Sequence, residues 1–173
     1  MAQVRAVRDL MVPISEYPIV KESESFNHCL MVLRDCLKSD KSHRSLLVQR
    51  GISLHKDRVT VITVRNIMRA IKEITRSYDF DELSRIAHSM EDYDVKSRFY
   101  KQRLLTRGFL MSVGELMRDA PRVSVAADVT PSVATRLMLV KNLDAIPVHD
   151  EADEVIGVIR SIDVLQYTAE LLQ

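Results

Sequence analysis

The sequence predicts an α/β (α+β) fold made of two copies of one small unit, each running strand-helix-strand-strand-helix, with a helical insertion between them. Three observations carry this expectation: a phrase that occurs twice, hydrophobic patterns that follow each copy in the same order, and a charged segment between the copies that is no Gly/Ser linker. The phrase is Val7-Arg-Asp-Leu-Met11, which returns as Val113-Gly-Glu-Leu-Met117. A repeat of this kind constrains the architecture more strongly than any single element does.

After the second phrase, Arg122-Val-Ser-Val125 alternates as a strand does, and Thr130-Pro131 follows, a capping residue and a proline suited to a first helical turn. Val133, Leu137, Val140 and Leu143, with Met138 beside them, then recur at helical spacing and predict one apolar face. Ala145-Ile-Pro-Val148 reads as a strand, Asp150 to Glu154 as an acidic turn, and Val155-Ile-Gly-Val-Ile159 as a second strand. Val164, Leu165, Thr168 and Leu172 close the unit as an amphipathic helix.

The first copy has the same order. Tyr17-Pro-Ile-Val20 reads as a strand, and Phe26, Cys29, Leu30, Leu33 and Leu37 as a helix. Ser45-Leu-Leu-Val48 and Val59 to Val64 are strands, and Ile67, Ile71 and Ile74 mark the last helix. This copy is longer from Lys38 to Arg44 and from Gln49 to Arg58, which are expected to be surface loops, because loop insertions cost little stability.

The boundaries that follow are residues 1–72 for the first repeat, 73–111 for the insertion and 112–173 for the second repeat. In the insertion, Asp79 with Glu82 is a capping-box-like start, and Phe80, Leu83, Ala87 and Met90 fall at helical spacing. Ser112 with Glu115 is a second capping box, restarting a short helix at the repeated phrase. A unit of roughly 60 residues buries too little surface to stand alone, so the two are expected to pack about a pseudo-twofold into one body.

The whole chain has 173 residues, 46% of them hydrophobic, as in a packed globular protein. Its 25 basic and 24 acidic residues leave a formal charge of +1, so no global field favours nucleic acid or an anionic membrane. No apolar run approaches the about 18 residues of a membrane span, and the charged start, with Arg5, Arg8 and Asp9, is expected in a cytoplasmic protein. Cys29 and Cys36 lie two helical turns apart, about 10.5 Å between Cα atoms, too far to bridge. The five histidines are scattered with no zinc-ligand spacing, so no metal site is expected. The methionines Met31, Met68, Met90 and Met138 are read as fillers of core gaps.

The recurring unit, with its Val-x-Asp/Glu-Leu-Met opening, its Ala145-Ile-Pro-Val148 strand and its Gly157-Val-Ile-Arg-Ser-Ile-Asp163 close, resembles the CBS domain. The resemblance covers nearly the whole chain outside the insertion. It implies a tandem, non-catalytic regulatory module whose clefts bind an adenosine-containing ligand: AMP, ADP, ATP or S-adenosylmethionine. It also implies a homodimer assembled through helices and a regulated protein partner that the sequence does not identify. The faces of Phe26, Leu30 and Leu33 and of Leu137, Val140 and Leu143 are the ones expected to meet in that dimer.

In nucleotide-binding members of that family, a Thr or Ser three residues before an Asp touches phosphate while the Asp accepts hydrogen bonds from the ribose. The first copy here has Thr63 and Asn66 at these positions, keeping the hydroxyl; the second has Arg160 and Asp163, keeping the carboxylate. His43 and Arg44 stand where the family places a basic side chain near the phosphates. The resemblance therefore nominates Asp163, Arg160, Thr63, Asn66, His43 and Arg44. Two readings of Asp163 stand side by side, the ribose contact and a plain helix cap, since a carboxylate near a helix start is stabilised without any ligand. Arg160 either fills the cleft or grips a phosphate in its guanidinium fork.

The basic run from Lys96 to Arg107, interleaved with Phe99, Tyr100, Leu104 and Leu105, is read first as a charged helix face and only second as a nucleic-acid contact. With four glycines in the chain there is no phosphate-cradling loop, and no nucleophile elbow or paired-histidine motif occurs, so no enzymatic function is expected. The runner-up reading is a ligand-free dimerisation or protein-interaction module.

Overall fold

The computed structural model describes residues 5–38, 44–76 and 93–172. Strands are β1 (Val12–Pro13), β2 (Ile19–Lys21), β3 (Ser45–Gln49), β4 (Val59–Thr63), β5 (Val125–Ala126), β6 (Ala145–His149) and β7 (Val155–Arg160). Helices are α1 (Phe26–Lys38), α2 (Val64–Arg76), α3 (Tyr93–Leu110), α4 (Val113–Leu116), α5 (Pro131–Lys141) and α6 (Ser161–Glu170). The expected helix over Asp79 to Met90 lies outside the described residues, as do His43 and Met90.

The two halves have the same connectivity. β2 runs parallel to β3 and β3 antiparallel to β4; β5 runs parallel to β6 and β6 antiparallel to β7. Each half thus has a strand-helix-strand-strand-helix order, with α1 and α2 in the first half and α5 and α6 in the second. β1 adds a fourth strand to the second sheet by pairing antiparallel with β7. Gly157 permits that approach, since a Cβ there would stand 2.6 Å from the carbonyl oxygen of Val12.

The opening phrases are exchanged between the halves, a feature that the repeat alone did not reveal. Val7 and Arg8 donate their backbone N–H groups to Val129 and Ala127, at the entry to α5, each at 2.9 Å. Val113 and Gly114 donate theirs to Glu24 and Glu22, at the entry to α1, each at 2.8 Å. Val7 is accordingly buried with Val125, Ala134, Ile146 and Ile159 of the second half, and Val113 with Phe26, Leu46, Ile62 and Ile74 of the first. The two phrases have matching surroundings, each in the other half's core, and this interlocks the halves.

A third core joins the sheets face to face, with Tyr17, Leu47, Val59 and Val61 against Ala145, Val155 and Val158. The segment from Gln49 to Arg58, expected as a surface loop, also serves this junction. Leu54 accepts a hydrogen bond from Val155 at 2.9 Å, and the Lys56 ammonium meets the Asp153 carboxylate at 2.7 Å.

Several expected core positions are corrected by the packing. Phe26 and Leu33 face the sheet, with Leu30, Leu137 and Leu143 partly buried against the same cores, so these faces are turned inward. In α5 the buried stripe is Pro131, Ala134 and Met138, one step away from the stripe through Val133 and Val140. Met31 and Met68 are exposed, while Met138 is buried. The capping box at Ser112 and Glu115 is present: the Glu115 carboxylate accepts from the Ser112 N–H at 2.7 Å, and the Ser112 hydroxyl accepts from the Glu115 N–H at 3.2 Å.

Candidate functional site

The strand ends that close each repeat come together at one open cleft. Ser45 at the start of β3 is registered beside Thr63 at the end of β4, and Ala145 at the start of β6 beside Arg160 at the end of β7. The cleft between these equivalent edges has a volume of about 710 Å³. The first half lines it with Arg44, Ser45, Thr63, Val64 and Arg65, and the second with Asp144, Arg160, Ser161, Ile162 and Leu165.

Each edge carries the phrase that closes its repeat, and in both the side chains bond to one another. In the first, Asn66 Oδ1 accepts from the Thr63 N–H at 2.9 Å and from the Thr63 hydroxyl at 2.7 Å. These bonds cap α2 by occupying an N–H that the helix itself leaves unpaired. In the second, Asp163 Oδ2 accepts from the Arg160 N–H at 2.9 Å, and the Arg160 guanidinium grips both carboxylate oxygens, with Nη2 to Oδ1 at 2.5 Å and Nε to Oδ2 at 2.9 Å. Asp163 is only 8% exposed and Arg160 partly buried, so this is a shielded, bidentate pair. The carboxylate holds the guanidinium more firmly in its charged form, outweighing the opposing effect of burial.

The nominated residues therefore divide. Thr63, Arg160 and Arg44 line one cleft; Asn66 and Asp163 stand at its edges with their acceptor oxygens engaged; His43 lies outside the described residues. The geometry of Asp163 is that of the helix cap, one of its two sequence readings. The cleft also holds a residue that the family phrase does not single out, Arg65, an exposed arginine in the first turn of α2, between Thr63 and Asn66. Arg44 and Arg65 have no hydrogen bond or ion pair among the described residues, in contrast to Arg160.

Behind the cleft floor the Tyr17 hydroxyl is hydrogen-bonded to the Ser45 hydroxyl. Burial pushes the Tyr17 phenol up to about 12, although the Ser45 bond and the nearby Arg160 charge pull the other way. The cleft thus joins two guanidiniums without a partner among the described residues, and the Ser161 side chain, to an apolar wall of Val64, Ile162 and Leu165. Such a mixture suits a ligand with an anionic end and a flat apolar end. Among the described residues, no cluster of three or more metal-ligating side chains occurs, and no helix is long and apolar enough to cross a membrane.

Comparison with known proteins agrees with this architecture. Residues 113–170 match the family model of the CBS domain. Among solved structures, the chain is similar to the CBS-pair protein CBSX2 from Arabidopsis thaliana, with 21% identity, a TM-score of 0.64, and 98% of this chain and 97% of that one covered. It is similar also to CBSX2 in complex with AMP, with 22% identity, a TM-score of 0.62, and coverage of 98% and 99%. The CBS domain of the bacterial CNNM/CorC family Mg2+ transporter in complex with ATP aligns with 13% identity, a TM-score of 0.61, and coverage of 94% and 85%. No curated protein matches the chain.

Proposed function

We infer that this chain, which has the fold of a tandem CBS pair and a CBS domain over residues 113–170, works as a non-catalytic regulatory module that binds an adenine nucleotide between its halves. The observation that carries the reading is the cleft itself, where Arg44 and Arg65, without a partner among the described residues, stand beside an apolar wall of Val64, Ile162 and Leu165. The guanidiniums take the phosphates, and the aliphatic side chains cover the base. Similar folds are known in complexes with AMP and with ATP, which supports the ligand class. Arg160 and Asp163 form the cleft's second wall, and Asp163 reaches a ribose only by giving up part of its pairing to Arg160. In this reading the module acts in the cytoplasm as a homodimer and passes ligand occupancy to a separate protein.

Calorimetric titration with AMP, ADP, ATP and S-adenosylmethionine tests the reading, alongside thermal unfolding, because a ligand that binds only the folded chain must stabilise it. Arg65→Ala is expected to weaken a nucleotide by about 10- to 100-fold, the loss typical of a charged hydrogen bond. Absence of binding by the wild type at millimolar nucleotide would refute the proposal.

One observation favours a second reading. Thr63 with Asn66, and Arg160 with Asp163, satisfy each other without any ligand. A module whose polar edges are closed in this way suits a ligand-free interaction role, in which the titration gives no heat and the chain acts through its surface alone.

A further inference from the structure

The far ends of the two hairpins, away from the cleft, carry opposite charges. In the first half the β3–β4 hairpin is closed by a backbone hydrogen bond from the Arg50 N–H to the Arg58 carbonyl at 2.8 Å. In the second the β6–β7 hairpin is closed by one from the Asp150 N–H to the Glu154 carbonyl at 3.0 Å. Arg50 thus corresponds to Asp150 and Arg58 to Glu154. The neighbouring backbone matches too: Glu22 donates its N–H to Gln49 as Ala127 does to His149, and Gly114 donates to Glu22 as Arg8 does to Ala127. At four matched positions the first half therefore has Arg50, Arg58, Glu22 and Gly114, where the second has Asp150, Glu154, Ala127 and Arg8.

These differences leave a small pocket in the first half. It has a volume of about 20 Å³, room for a water-sized group or two, and its lining includes Glu22, Arg50, Arg58, Thr60, Gly114 and Arg122. Gly114 keeps it open, since a Cβ there would stand 3.2 Å from the Glu22 carbonyl oxygen and 3.7 Å from Glu22 Oε2. Arg58 Nη1 lies against Gly51, where a Cβ would stand 3.3 Å away.

The polar groups of the two hairpin ends are occupied differently. The Asp150 carboxylate turns onto its own loop, accepting from the Ala152 and Glu154 N–H groups at 2.9 and 3.1 Å. Arg50 reaches Glu22 Oε2 through Nε, at 2.6 Å, and that pair neutralises itself. The Arg58 and Arg122 guanidiniums and the Thr60 hydroxyl have no hydrogen bond or ion pair among the described residues. The other carboxylate of the lining, Asp57, is 77% exposed and stands 3.6 Å from His55 Nδ1.

We propose that this pocket is a second ligand site, separate from the cleft, which takes a compact oxyanion: phosphate, or the phosphoryl group of a small monoester. Guanidinium forks match the oxygens of such a group, and here they converge from three segments: the end of β3, the turn before β4, and the stretch between α4 and β5. The pocket's size admits the oxygens of an anion and leaves no room for a flat base. Strand β3 runs from Ser45 in the cleft to the pocket beyond Gln49, a rise of about 14 Å, so one phosphoryl group does not serve both places. An anion held by Arg58 and Arg122 pins the stretch that leads into the second sheet to the first-half hairpin.

Proton–nitrogen correlation spectra of the full chain, titrated with inorganic phosphate and with sodium chloride at matched ionic strength, test the site. Saturable shifts of the Gly51, Gly114 and Arg122 amides are expected with phosphate and not with chloride. Arg58→Glu and Arg122→Ala are each expected to weaken phosphate at least about tenfold, the loss typical of a charged hydrogen bond. Arg65→Ala, in the cleft, is expected to leave these shifts unchanged. Gly114→Arg adds a positive charge yet fills the pocket, and is expected to abolish binding; Arg8 shows that the matched backbone position accepts this side chain. Where Gly114→Arg fails to fold by circular dichroism, Arg58→Glu, on an exposed side chain, carries the test. Glycerol phosphate separates the two sources of the anion: binding tighter than that of inorganic phosphate assigns the ester, weaker binding the free ion, and both support the site. Shifts confined to Ser45, Arg65 and Ser161, shifts that never saturate, or a Gly114→Arg chain that binds as tightly as the wild type each overturn the inference and leave the nucleotide reading of the cleft standing.

Discussion

The two halves of this molecule share one plan, and their differences sort by where they fall. At the strand edges, the first half has Thr63 with Asn66, a neutral cap, and the second has Arg160 with Asp163, an ion pair that neutralises itself. On the outer helices, α3 packs against α1 and α2 of the first half, and no described helix packs likewise against α5 and α6 of the second. Inside, the halves do not differ in kind, because each core contains the other's opening phrase. A duplicated fold keeps its interior constant, where packing is close and small volume changes are costly, and diverges at edges and surfaces where a change costs little.

The interlock is the part of this comparison open to the largest effects. Phe26→Ala in the first core is expected to cost about 3–5 kcal/mol and Ile159→Ala in the second about 2–5 kcal/mol. Both residues are fully buried. Because Val7 and Val113 tie each core to the other half, either variant should shift a single cooperative transition in denaturant. Two separate transitions would break the interlock and make the halves independent units.

Alkaline unfolding probes two buried protons of smaller weight. Burial raises the Cys29 thiol from 9.0 to about 12 and the Tyr17 phenol from 10.0 to about 12. Each group therefore binds its proton more tightly in the folded chain than in the unfolded one. Stability is intact below about pH 9 and falls as the unfolded chain loses first the thiol proton and then the phenol proton, by about 2–4 kcal/mol per group on approaching pH 12. Denaturant titrations from pH 8 to 12 give the profile. Cys29 lies in the first core and Tyr17 at the junction of the sheets. Tyr17→Phe should flatten the upper part alone; an unchanged profile would mean that the junction admits water.

The smallest effects come from the strand edges and sharpen the contrast between them. Asn66→Ala removes a cap and is expected to cost about 1 kcal/mol. Asp163→Ala removes a cap and leaves a partly buried guanidinium unpaired, and is expected to cost about 1–3 kcal/mol. Thermal unfolding of the two variants side by side checks the order. Equal losses would mean that the Arg160 pair adds nothing to the cap.

The site shows how far local sequence reaches. The Gly157 to Asp163 phrase and the Thr63 to Asn66 phrase both end at the cleft's edges, but sequence alone leaves Asp163 open between ribose contact and cap. In the structure a guanidinium three residues away engages it, since the turn into α6 puts Arg160 and Asp163 within hydrogen-bond reach. Arg65 is not legible in the sequence, because nothing in a lone arginine tells whether it faces a cleft or open water.

By itself the sequence determined the repeat, the order of its strands and helices, and the capping box at Ser112, because each is written in periodicity and in contacts a few residues apart. It did not determine which apolar stripe of α5 turns inward. Pro131, Ala134 and Met138 do, while Leu139 and Val140, equally apolar, do not. Nor did it show that Val7 belongs to the second core and Val113 to the first, or that α3 packs against α1 and α2 of the first half. These are outcomes of long-range packing, in which residues about a hundred positions apart compete for the same apolar surface. Hydrophobic spacing tells that a face must be covered; only the assembled tertiary structure decides by what.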